Sequence, residues 1–144
     1  MHFTWLLVPI IVGAATPLVL QMAVEMAKSI GHMESAVVLH FIGAVVGLAW
    51  VGLGLRGAGF THLVEVPWWA WLGGAIGVCS MAALNRTIPE IGVTAFVGVS
   101  IAAQLSVALL VDRGGWLGAD IREIGVTHGI GAALLVAGAV LIST

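Results

Sequence analysis

Residues 91–111 read IGVTAFVGVSIAAQLSVALLV, without one Asp, Glu, Lys or Arg. Wound as an α-helix, a run of this length extends about 30 Å, which is the thickness of a bilayer's hydrocarbon core. Cutting the rest of the chain at every charged residue leaves four more such stretches, Phe3 to Val24, Ser35 to Leu55, Val66 to Asn85 and Ile124 to Thr144. Lipid offers no hydrogen-bond partner to the backbone, and runs of this length do not alternate like barrel strands, so helices are the form expected. The expected fold class is all-α: an integral membrane protein with five transmembrane helices in a single domain over residues 1–144. The spans fall at about 3–24, 35–55, 66–85, 91–111 and 124–144. The connections expected between them, Glu25 to Glu34, Arg56 to Glu65, Arg86 to Glu90 and Asp112 to Glu123, hold every charged residue.

Composition agrees. Of the 144 residues 60% are hydrophobic and 8% charged, with a mean hydropathy of +1.15, whereas a soluble domain is about one quarter charged. A net charge of −2 provides no basic field for nucleic acid and no polybasic patch for anionic lipid. The single cysteine, Cys79, rules out an intrachain disulfide and reads as a packed apolar residue. The first apolar stretch lacks the positively charged start of a secretory signal, and is expected to remain as a span.

All six tryptophans, Trp5, Trp50, Trp68, Trp69, Trp71 and Trp116, fall near span ends, where indoles favour the membrane–water boundary. In a five-span zigzag all of them lie on the side of the amino terminus. Arg56, Arg113 and Arg122 share that side, while Lys28 and Arg86 lie opposite. So even a balance leaves two readings open. Either a weak bias orients the chain one way, or it inserts both ways and opposite copies pair as an unfused inverted repeat.

Polar residues inside spans must find a partner or a wet cavity. Pro17, Gln21, Glu25 and Lys28 recur at helical spacing and share one face. Pro17 cannot donate to the carbonyl of Gly13 and tends to kink the helix. This face reads either as the lining of a substrate cavity, or as a packing kink followed by two interfacial charges. Gln104, with Ser100 one turn before it, reads equally as a ligand-binding amide and as a link between helices. His40 reads as a packing histidine or as a proton-coupling group, and His128 as interfacial. Gly43 and Gly47, Gly73 and Gly77, and Gly131 and Gly138 are close-approach patterns for helix packing. Gly52, Gly54 and Gly57 spell GxGxxG but close a hydrophobic helix, so a nucleotide site is dismissed. The sequon at Asn85-Arg86-Thr87 is dismissed because it sits in a tight loop almost in the membrane. There is no HExxH, GxSxG, P-loop or paired-histidine motif, so no enzyme, cofactor or metal is expected.

The run Pro67-Trp68-Trp69-Ala70-Trp71-Leu72-Gly73-Gly74, then Pro89-Glu90-Ile91-Gly92, Ala103-Gln104-Leu105, Leu110-Val111-Asp112-Arg113 and Gly118, resembles the YdcZ-type family of small bacterial inner-membrane proteins. That family is grouped with the drug/metabolite transporter superfamily. The resemblance covers Val66 to Thr144 well and is looser over the first two spans, where relatives tend to carry an Asn and this chain has Glu25. It implies a five-helix unit in the inner membrane, one half of an antiparallel dimer formed with an identical chain or an oppositely oriented homologous partner. It also implies kinship with small multidrug resistance exporters, in which a first-helix carboxylate binds substrate or protons. Glu25 and Gln21 are the nearest analogues here. The function expected is a transporter subunit moving an unidentified small molecule by alternating access, with membrane lipid around it and Pro17, Gln21, Glu25, His40, Ser100 and Gln104 as candidate binding residues. The alternative is a channel-like or accessory membrane subunit without active transport.

Overall fold

The computed structural model describes residues 4–55 and 60–143. Arg56 and Gly57, used in the charge balance and the glycine pattern above, lie outside the described residues, as does Phe3 at the start of the first stretch. Every regular element among the described residues is helical: α1 (Thr4–Ile30), α2 (His32–Gly52), α3 (Leu72–Gly114) and α4 (Val126–Ser143). Short 3₁₀ turns at Phe60–Glu65, Trp68–Trp71 and Trp116–Gly118 fill parts of the connections. Three of these segments, Leu6–Ile30, His32–Gly52 and Trp68–Gly114, are long and apolar enough to cross a membrane, and Val126–Ile142 is a shorter apolar helix.

The helices run past the charges that delimit the uncharged stretches. Glu25, Lys28 and Glu34 are helical, and the connection expected over ten residues shrinks to Gly31. An interfacial charge does not end a helix; a backbone conformation does. Gly31 has φ 101° and ψ 159°, a region open essentially to glycine alone. The connection expected at Arg86 to Glu90 is likewise helical, and the break falls at Gly92, where φ is 80° and ψ 157°. The two breaks therefore use nearly the same glycine conformation. They divide the sequence around them into α1 and α2, and into the 72–91 and 93–114 arms of α3.

The chain forms two compact units, Met1–Pro89 and Glu90–Thr144. In the first, α1 and α2 pack as a hairpin. Its buried residues cluster near the Gly31 turn: Leu20, Ala23, Val24 and Ala27 from α1, Ser35 and Ala36 from α2, and Asn85 and Ile88 from α3. Alanine and serine at the seam let the backbones come close, as dense packing without a hydrophobic drive requires. The Ser35 hydroxyl donates to the Ala23 carbonyl at 2.9 Å. In the second unit Ala102 and Ala139 are the buried apolar residues, and a methyl group at Gly98 would lie 3.8 Å from the Ala139 Cα. Gly98 and Ala102 stand one turn apart, so this face of the 93–114 arm meets α4.

Away from these seams the large side chains are bare. Ile11 is 67% exposed, Phe41 68% and Leu141 77%. A water-soluble surface does not carry apolar area of this density, and lipid is the solvent that accommodates it. Three hydroxyls inside the helices are satisfied locally: Thr16 donates to the Val12 carbonyl, Thr87 to that of Ala83 and Ser106 to that of Ala102. Such back-bonds keep a polar group tolerable in hydrocarbon and favour a local bend.

Candidate functional site on the open face of α1

Pro9 and Pro17 both lie inside α1. The ring at Pro17 leaves the Gly13 carbonyl without its helical donor. Below that point the helix has two unlike faces. Leu20, Ala23, Val24 and Ala27 form the buried one. Gln21 and Glu25 each stand two residues from Ala23, about 200° around the axis, so both project from the opposite face. With Leu18 and Met22 they line a shallow groove of about 310 Å³. Glu25 Oε2 accepts a hydrogen bond from Lys28 Nζ at 2.7 Å, and both side chains are exposed. An exposed pair at this spacing contributes about 0.5 kcal/mol or less to stability, so structure alone gives little reason to hold a carboxylate here. Gln21 has no hydrogen-bond partner among the described residues. The groove therefore presents an unoccupied amide and a singly paired carboxylate against apolar neighbours. Such a surface can hold a small molecule with both a polar or cationic group and an apolar body.

The other residues named from the sequence are placed separately. Pro17 is half-buried on α1 itself. His40, on α2, is exposed, and its Nδ1 lies 2.8 Å from the Ala36 carbonyl. Because a carbonyl only accepts, Nδ1 carries the proton and Nε2 is the free acceptor. The ring lies over Gly77, where an added methyl group would come within 3.1 Å of Nε2. That contact accounts for one member of the glycine patterns; Gly43, Gly47, Gly73, Gly131 and Gly138 have no neighbour within 4 Å of an added methyl. Ser100 and Gln104 belong to the second unit. Gln104 is two residues beyond Ala102, on the face of its arm turned away from α4, and is exposed.

Sequence reasoning weighed Asn85 only as a glycan acceptor, and it is 0% exposed. Its Nδ2 donates to the His32 carbonyl at 3.1 Å, while Oδ1 has no partner. The bond ties α3 to the first turn of α2, beside the Gly31 hairpin. An acceptor buried in this way costs about 1–3 kcal/mol. Its place at the end of an uncharged stretch, one turn before Pro89, was the available signal. The same burial removes it as a glycan acceptor.

Helices of this length with bare apolar flanks define an integral membrane protein of the multi-helix class. Residues 4–141 match the family model described as "Putative inner membrane exporter, YdcZ", and the chain belongs to that family. No curated protein and no solved structure matches it.

Proposed function

We propose that the chain is one half of an antiparallel, dual-topology dimer that exports a small molecule by alternating access, with the open face of α1 meeting the substrate. The observation that carries the reading is the Gln21–Glu25 groove. A transmembrane polar face that the fold does not use must be used by a ligand, water or a second chain. Two copies of a five-span unit inserted in opposite directions would relate as an inverted repeat. Two points favour five. At 1.5 Å per residue the 47-residue segment Trp68–Gly114 would extend about 70 Å if straight, more than twice the hydrocarbon thickness. Its break at Gly92 also has the same backbone conformation as the one that turns α1 into α2. The near tie of Lys and Arg between the two sides supports insertion in both directions. Rocking of one copy against the other would then expose the groove to each side in turn.

Cysteine labelling tests the groove without knowledge of the substrate. In a Cys79→Ala background, Gln21→Cys is expected to react with a water-soluble maleimide in intact membranes, and Ile11→Cys is not. Equal inertness of both would place Gln21 against lipid and remove the site. Once a substrate is identified, saturable ion-coupled flux lost in Glu25→Gln supports the transporter; unsaturable flux retained in that variant points to the channel-like subunit.

A further inference from the structure

A polar concavity in the second unit lies at the entrance to α4. It has a volume of about 650 Å³, and Arg113, Arg122, Glu123 and His128 line it together with Ile121. Arg113 comes from the last turn of α3 and Arg122 from the end of the connection before α4. The fold brings them together through the backbone: the Arg122 amide donates to the Asp112 carbonyl at 2.9 Å, which sets Arg122 beside the last turn of α3, where Arg113 sits. Neither guanidinium forms an ion pair or hydrogen bond with a described residue. Two fork-shaped cations facing one cavity repel each other unless an anion lies between them, and the planar fork matches phosphate oxygens. His128 Nδ1 accepts from the Gly125 amide at 3.2 Å, so the ring's remaining nitrogen, Nε2, carries the proton and is a donor.

We propose that this cavity binds the phosphate of an anionic phospholipid of the phosphatidylglycerol type. Arg113 and Arg122 clamp the phosphate, and Glu123 accepts hydrogen bonds from the hydroxyls of the headgroup. Two cations and one carboxylate leave the site with a net positive charge, which selects an anionic lipid over a zwitterionic one. The surroundings argue for lipid as the source of the phosphate: Ile121 in the lining, and Trp116 and Leu117 in the same connection, are all exposed, 77%, 57% and 68%. They offer an indole at headgroup depth and aliphatic surface for acyl chains. A basic pocket at the end of a membrane helix is a recurrent way to hold such a headgroup.

The test uses the full chain in detergent, with phosphatidylglycerol and phosphatidylcholine offered together and the retained lipid read by native mass spectrometry. The unmodified chain is expected to retain phosphatidylglycerol preferentially. Arg113→Gln and Arg122→Gln are each expected to cut that preference about fivefold, as for loss of one interfacial cation, and both together to abolish it. Both residues are exposed, and unchanged helix content by circular dichroism shows that each single variant folds. Equal retention of the two lipids by the unmodified chain overturns the proposal, as does a preference that survives both single substitutions. Binding of glycerol phosphate with the same arginine dependence, and without lipid preference, assigns the site to a soluble phosphate and overturns the lipid assignment.

Discussion

The two faces of α1 below Pro17 differ in what they are built from and in what they leave undone. On one, Ala23 and Ala27 are nearly or fully buried against α2, and the Ala23 carbonyl accepts from Ser35. On the other, one half-turn away, Gln21 and Glu25 line an open groove, and their only side-chain bond among the described residues is from Lys28. The buried face includes small residues whose value is close approach; the open face carries Gln21 without a side-chain partner and Glu25 paired only with the exposed Lys28. Substitutions on the first should therefore be read in stability, and on the second in transport.

The largest effect expected is at the turn that creates the buried face. Gly31→Val forces a side chain into a conformation that side chains rarely adopt, while the exposed Glu34 carboxylate beside it can swing away. It is expected to destabilise by about 2–4 kcal/mol, measured by reversible unfolding in mixed micelles. Next is Asn85→Ala, which strips the bond to the His32 carbonyl and should cost about 1–2 kcal/mol. Because Asn85 Oδ1 is already unpartnered, this loss should be smaller than for a fully bonded buried amide. Ser35→Ala should cost about 0.6 kcal/mol, the usual worth of a side-chain bond between membrane helices. Smallest in stability, at about 0.5 kcal/mol or less, are Gln21→Ala and Glu25→Gln, while both are expected to lower transport. If Gln21→Ala unfolded the chain as readily as Asn85→Ala, the contrast between the faces would be gone.

Much of this was legible in the sequence, and for identifiable reasons. Apolar length marked where helices lie, because only a helix keeps its backbone satisfied in lipid. The i, i+4 spacing of Pro17, Gln21 and Glu25 placed them on one face, and the structure keeps Gln21 and Glu25 in one groove. The charges bracketed the first turn too widely and missed the second by two residues. Glu25, Lys28 and Glu34 mark an interface that a helix can cross, and the turn itself is decided by the single residue Gly31. Similarly, the connection expected at Arg86 to Glu90, which contains Pro89, is helical, and the break falls at Gly92. A proline removes one donor, whereas only a glycine reaches the backbone angles found there. Asn85 was hidden for another reason: whether an amide at the end of a span is buried depends on a neighbour 53 residues away in sequence, at His32.

The pairing of two opposite copies is tested most directly by the orientation of the carboxyl terminus. Fused separately to a reporter active only in the periplasm and to one active only in the cytoplasm, the chain is expected to give strong signals with both. A signal from one reporter alone would show a single orientation and contradict the antiparallel homodimer.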